Sequence, residues 1–323
     1  MSLESCNFWN GKDPADPELL KKWLENSPPW RQSGGVEIEV EPSAAPELSA
    51  GHLRRAQTWR APDDQALLHV HLALWLRRPL LVEGPPGVGK SSLAYALAYG
   101  LGLGEVLRWE ISSRTGYQEG LYQYDAVSHL RSIQDDTRSD GIEKFIQLGP
   151  LGTALLGSKT SEGHVLPRVL LVDELDKSDY DLSNDLLHVL EEGRYPIPEL
   201  ARESGEEALD VKLADTDHRV ARIRGGQVTS QVHPVVVITS NGEREFPPAF
   251  LRRCVRLQLS APRNEQLKSL VKEHFKDFET IPELGDLVSG QEPPDRVLQT
   301  LFMEQMGLDR EEVLRILGGD SSR

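Results

Sequence analysis

The chain has 323 residues, with 36 basic against 51 acidic side chains and a formal net charge of -15. That length allows two domains, or one α/β domain with an appendage, and the acidic balance excludes wholesale wrapping of nucleic acid but not a local basic channel. Two distant cysteines (Cys6, Cys254), no apolar run long enough to span a bilayer and no signal-peptide pattern point to a soluble, cytoplasmic protein without membrane insertion.

Residues 1–54 read as an N-terminal arm, partly disordered or loosely docked, because the first fifty carry six prolines and nine acidic against four basic side chains. Within the arm, Leu19, Leu20, Trp23 and Leu24 fall at helical spacing, and Pro28-Pro29-Trp30-Arg31 suggests an extended docking peptide. From residue 55 to 261 strands alternate with helices. The apolar runs Pro79–Val82, Val169–Val172 and Val235–Ile238 predict strands buried on both faces, with two more around 106–111 and 255–259. Between them, Ser92 to Leu101 and Leu182 to Glu192 read as helices, the second stopped by Gly193. A parallel five-stranded α/β sheet follows from that alternation. Residues 262–323 carry three amphipathic patterns, at 267–275, 297–302 and 313–317, and read as a small helical lid domain.

Chemistry concentrates at the predicted strand ends. Gly84-Pro85-Pro86-Gly87-Val88-Gly89-Lys90-Ser91 fits the phosphate-loop pattern, with a strand before it and a helix opening at Ser91-Ser92. Glycines let backbone N–H groups surround a phosphate, Lys90 reaches the β- and γ-phosphates, and the Ser91 hydroxyl suits Mg²⁺. Asp173 and Glu174 close the Val169–Val172 run. There Asp173 can hold Mg²⁺ through water, and Glu174 can polarise an attacking water, which favours hydrolysis over binding alone. Asp176 and Lys177 extend the charged run as a solvated loop, or face a neighbouring subunit. Asn241, after the third strand, can orient that water or contact the γ-phosphate, although Asn-Gly is also a turn dipeptide. Arg252 and Arg253 precede a buried strand, where they read either as a surface salt bridge or as a guanidinium for the γ-phosphate; nothing obvious in the chain delivers one in cis, so the second reading implies an oligomer.

Together these segments resemble an AAA+ ATPase. Leu148 to Leu155 and Thr239 to Phe250 are similar to the MoxR branch in particular, and the resemblance covers about residues 55 to 305. It implies a ring, usually of six subunits, with ATP and Mg²⁺ between protomers. Gly84 to Ser91 then match Walker A, Asp173 and Glu174 Walker B, and Asn241 sensor 1. Arg253 matches the arginine finger, with Arg252 as the alternative, and Arg296 stands where many relatives carry sensor 2. The family's helix-2 insert would lie within about 115–150 and its hairpin before sensor 1 within about 196–233. Tyr117, Tyr122 and Tyr124 fall in the first of these, as core or turn residues or as pore-facing aromatics. Trp59 to Pro62 stand where adenine contacts are expected.

The implied function is chaperone-like remodelling, activation or assembly of a protein client, with a partner bearing a von Willebrand factor A domain. Two alternatives belong to other classes. One is a nucleic-acid motor, disfavoured by the absence of Lys and Arg from 116–130. The other is a slow nucleotide switch in a signalling or defence assembly. The base-reading pocket leaves GTP open beside ATP.

Overall fold

A computed structural model describes residues 8–31, 38–40, 48–134, 141–205, 207–214, 219–260, 267–268, 271–272, 275 and 294–318. The chain opens with α1 (Pro17–Glu25), where the Asp16 carboxylate accepts from the Glu18 and Leu19 amides and Pro17 takes the first helical position. Then come β1 (Glu39–Val40), α2 (Ala50–Thr58) and α3 (Asp64–Leu76), the last capped by Asp63 through the Ala66 amide. β2 (Leu80–Glu83), α4 (Lys90–Gly100) and β3 (Leu107–Glu110) form the first βαβ unit. The following stretch holds α5 (Tyr117–Leu121), β4 (Tyr122–Tyr124), α6 (Ala126–Gln134), β5 (Ile146–Leu148) and α7 (Pro150–Leu156). A short ladder of β6 (Ser158–Lys159) and β7 (Val165–Leu166) leads to β8 (Val169–Asp173), then α8 (Tyr180–Glu192), which stops at Gly193 in the left-handed region. After β9 (Arg194–Pro196) and α9 (Pro198–Ser204) come β10 (Ala208–Lys212), β11 (Val220–Arg224) and β12 (Gln227–Thr229). The described chain ends with β13 (Val235–Ser240), α10 (Pro248–Leu251), β14 (Val255–Gln258), α11 (Pro294–Gln305) and α12 (Arg310–Gly318).

The central sheet is parallel throughout, in the order β14-β2-β13-β8-β3. Counted by position in the chain, its five strands therefore lie 5-1-4-3-2, the arrangement of a P-loop NTPase. Alternation along each strand divides the interior in two. Leu81, Leu170, Val172, Val236 and Ile238 face one core, while Leu80, Val82, Leu171, Val235 and Val237 face the other. Burial on both faces explains why these strands are unbroken apolar runs.

A second sheet gathers the inserted elements in the order β1-β11-β10-β5-β4. Its centre is an antiparallel hairpin in which Leu209 pairs with Ile223 and Val211 with Ala221. β5 pairs in parallel with β10, so the segments at 115–150 and 196–233 build one structure, with β9 and β12 paired in a separate two-stranded ladder. Here Tyr122 is buried and donates to Glu199 at 2.8 Å, while Tyr124 bonds the His129 ring at 2.7 Å. Both tyrosines thus bond within the subunit, Tyr122 buried and Tyr124 half-buried.

The N-terminal arm departs most from the loose segment expected of its composition. Phe8, Trp9 and Trp23 are buried in the core on the α3 and α4 side of the sheet. Trp23 donates to the Leu74 carbonyl at 2.9 Å, and the Arg77 guanidinium stacks 3.9 Å from its ring centre. Trp9 stacks on Trp59, and a Cβ at Gly100 would come within 2.1 Å of its indole nitrogen. The apolar residues 67–76 form the body of α3, roofed by these aromatics. Within the candidate lid, Leu267, Val271, Phe275, Val297 and Leu301 form a separate apolar cluster.

Candidate functional site

In an open parallel sheet, loops after the strands' carboxyl ends converge on one edge. Here that edge collects the phosphate loop after β2, Asp173 and Glu174 after β8, and Asn241 after β13. Gly84, Gly87 and Gly89 adopt φ of 156°, 78° and 88°. At Gly84 a side chain is doubly excluded, since a Cβ would stand 2.2 Å from the Leu259 carbonyl oxygen. Pro85, Pro86 and Gly87 form the exposed tip, and Val88 is half-buried. α4 begins at Lys90 without a side-chain cap, which leaves its first amides to receive an anion. Ser91 and Ser92 follow in that first turn. Trp59 flanks the loop, as its Cδ1 lies 3.6 Å from where a Cβ on Gly89 would be.

Lys90 ties the site together. Its ammonium donates to the Gly84 and Pro85 carbonyls at 2.6 and 2.8 Å and to Asn241 Oδ1 at 2.7 Å. Burial pulls its pKa below the ordinary value, against the opposing pull of Asp176, Glu174 and Asp173. Through its other amide atom, Asn241 donates to Glu174 Oε1 at 3.2 Å, and Lys177 donates to Glu174 Oε2 at 2.6 Å. Glu174 sits at φ 62°, a left-handed conformation rare outside glycine, and its amide is held by Thr239 Oγ1 at 2.8 Å.

Asp173 is buried and saturated with donors. Oδ1 accepts from Ser91 at 2.7 Å and Thr239 at 2.8 Å, and Oδ2 accepts twice from Arg108, at 2.7 and 3.1 Å. Burial alone would raise its pKa, but the Ser91, Thr239 and Arg108 hydrogen bonds outweigh it and lower the net value. A hydroxyl and a carboxylate oxygen in contact suit a hard cation that prefers oxygen, takes one or two protein ligands and completes its shell with water and phosphate. Ser91 and Asp173 therefore fit Mg²⁺. Among the described residues no cluster of three His, Cys, Asp or Glu suggests a different metal.

Sequence reasoning missed Arg108 and Thr239 and misplaced Asp176. Thr239 lies near the end of β13, two residues before Asn241, and that spacing in extended chain was an available signal. Asp176 is not a solvated charge. It is buried and accepts from the Asn241 and Glu243 amides at 2.9 and 3.0 Å, fixing the turn that carries Asn241. Arg244 stacks on Tyr180 at 4.4 Å and donates to the Ser178 carbonyl, pinning the same turn to α8.

Arg252 and Arg253 lie away from this edge. Cys254 immediately precedes β14, and Val255 pairs with Leu80 at the start of β2, so Arg252 and Arg253 occupy the opposite, amino-terminal end of the sheet. A strand of four residues is about 13 Å long, so Arg253 cannot serve its own phosphate loop. It is exposed and paired with Glu191 of α8 at 2.9 Å. Arg252 is exposed, and its carbonyl accepts from Arg78. Arg296 donates to the Leu314 carbonyl at 2.9 Å, joining α11 to α12.

Comparison with known proteins adds a sequence family and distant structural likenesses. NtrX from Brucella abortus in complex with ADP is 14% identical with a TM-score of 0.39, covering 81% of this chain and 56% of that one. NtrX in complex with ATP gives 14% and 0.41, covering 76% and 49%. A provisionally assigned ATPase from Cytophaga hutchinsonii gives 12% and 0.41, covering 77% and 60%. The chain thus spans about half to three fifths of these proteins, and at such low scores the likenesses carry no argument about activity. No curated protein matches the chain. No described helix is long and apolar enough to cross a membrane. The model of the AAA domain, dynein-related subfamily, matches residues 79–254. That span is more than half the chain and includes the whole carboxyl edge from Gly84 to Asn241, so the protein belongs to the AAA-domain family, in its dynein-related subfamily.

Proposed function

We propose that the protein hydrolyses ATP within a ring of identical subunits and uses the cycle to remodel a protein client. The observation that carries this reading is Asn241, whose amide bonds Lys90 on one side and Glu174 on the other. A side chain that touches both the phosphate-binding cation and the candidate base can report the γ-phosphate to the group that acts on water. In the reaction, a water oxygen forms a bond to the γ-phosphorus, the bond from that phosphorus to the β–γ bridging oxygen breaks, and ADP leaves. Glu174 orients the water and takes its proton, Lys90 balances charge on the β- and γ-phosphates, and the α4 amides bind phosphate oxygens. Mg²⁺, held by Ser91 and Asp173, would supply further charge neutralisation on those phosphates.

The separation of Arg253 from its own phosphate loop supports the ring. A neighbour that presents this residue would complete the site in trans, as transition-state charge requires. A client role in the MoxR manner, with a von Willebrand factor A domain partner and a hexamer, is supported by the sequence similarity at 148–155 and 239–250 and by the β10–β11 hairpin. To test the assembly, purify the Glu174→Gln protein with ATP and Mg²⁺ and measure its mass and bound nucleotide. The expected product is an oligomer of about six chains retaining ATP, which Arg253→Ala weakens. A monomer at all nucleotide concentrations would refute the ring.

A further inference from the structure

We infer that Arg108 is a positioning residue that sets how much Mg²⁺ the site needs, by holding Oδ2 of Asp173 and balancing its charge. This rests on the ATPase reading above and goes beyond it. An ionised carboxylate offers about four acceptor positions, and here all four are filled. Ser91 and Thr239 occupy Oδ1, and Arg108 occupies Oδ2 twice, through Nε at 3.1 Å and Nη2 at 2.7 Å. A cation that takes Asp173 as a direct ligand would displace a donor.

The three donors differ in their freedom to leave. Ser91 is itself a candidate ligand of the ion. Thr239 is 1% exposed and also holds the Glu174 amide, so its loss would disturb the base. Arg108 is 39% exposed and is already paired with a second carboxylate, Nη1 standing 2.6 Å from Glu110 Oε1. Glu110 is 70% exposed and pairs across the sheet with Asp173 itself. Arg108 therefore stands between an inner and an outer carboxylate on one strand edge. Arg108 could therefore release Asp173 to a bound cation while keeping its bond to Glu110, and hold Asp173 again without the cation, which would keep the buried charge paired in both conditions.

The test is a titration of MgCl₂ against a fluorescent ATP analogue, repeated in EDTA, with wild type, Arg108→Gln, Arg108→Lys and Glu110→Gln. Arg108→Gln should lower the half-saturating Mg²⁺ about tenfold, the scale of a charge-assisted hydrogen bond. Arg108→Lys should restore most of the wild-type requirement. Glu110→Gln, which removes the outer carboxylate, should raise it about threefold, the reverse direction. Binding in EDTA should be equal in all four. Unchanged half-saturating Mg²⁺ in Arg108→Gln and Glu110→Gln, with wild-type binding still dependent on metal, would overturn this inference alone. So would a parallel loss with and without metal, which marks a merely structural residue. Wild-type binding that is absent or indifferent to Mg²⁺ would overturn the ATPase reading as well.

Discussion

Replacing Trp23 by alanine probes whether the N-terminal arm is part of the folded domain. The indole is fully buried, donates to the Leu74 carbonyl at 2.9 Å, stacks under Arg77 at 3.9 Å and lies 5.8 Å from the Phe8 ring. Truncating a buried tryptophan costs about 3–5 kcal/mol. The Leu74 carbonyl is not orphaned by the change, because the Arg77 amide also donates to it, at 3.3 Å. We therefore expect about 4 kcal/mol, and about 1–2 kcal/mol for Trp23→Phe, which keeps most of the packing and loses the hydrogen bond. Two assays read the result. If the arm unfolds with the core, the melting temperature falls by about 10 °C. If the arm opens alone, melting holds and tryptic cleavage at the exposed Lys21 and Lys22 rises by up to about a thousandfold. Neither melting nor cleavage changing in Trp23→Ala would refute the docked arm.

Gly100→Ala reverses a usual sign. Glycine inside a helix ordinarily costs about 1 kcal/mol relative to alanine, but here the added Cβ meets the Trp9 indole nitrogen at 2.1 Å. The variant should be destabilised by about 1–3 kcal/mol in urea unfolding, and a stabilised protein contradicts the contact. Glu174→Gly relieves a left-handed residue at φ 62°, so it should gain about 1 kcal/mol while losing phosphate release. A lower melting point for that variant would argue against the strain. His233 is buried with its Nδ1 donating to the Pro234 carbonyl, and burial brings its pKa down from 6.5 to about 4. The unfolded chain then binds the extra proton first, so stability is full above pH 6.5 and declines as pH falls toward 4. The loss should approach about 3 kcal/mol at the acid end, and His233→Phe should flatten the slope of urea midpoints over that interval. An identical slope in the variant would remove His233 from the account.

What could be read from the chain, and what could not, follows from the range of the forces involved. The phosphate loop is local, since strand, glycine turn and helix occupy neighbouring positions. The five central strands are apolar because both of their faces are covered. Helix α3 was obscure for a related reason: roofed by Phe8 and the neighbouring aromatics, it lacks the polar stripe that marks a surface helix. The arm's prolines and acids suggested looseness, whereas its order rests on aromatic contacts to residues more than fifty positions away, such as Trp23 to Leu74. Arg108 carried no signal at all. One arginine on a strand is ordinary, and its partner Asp173 lies 65 positions along the chain. Asp176 misled because a run of charges after a strand resembles a solvated loop, while its burial depends on amides supplied by the β13 turn.

The central claim is that Glu174, joined through Asn241 to Lys90, makes this site an ATPase. Steady-state phosphate release with ATP and Mg²⁺, measured for wild type and Glu174→Gln side by side, tests it most directly. Removing a positioned general base slows turnover by about 10²–10⁴-fold, and the account predicts that loss with nucleotide binding retained. Equal turnover in the two proteins, or none in the wild type at any protein concentration, would contradict it.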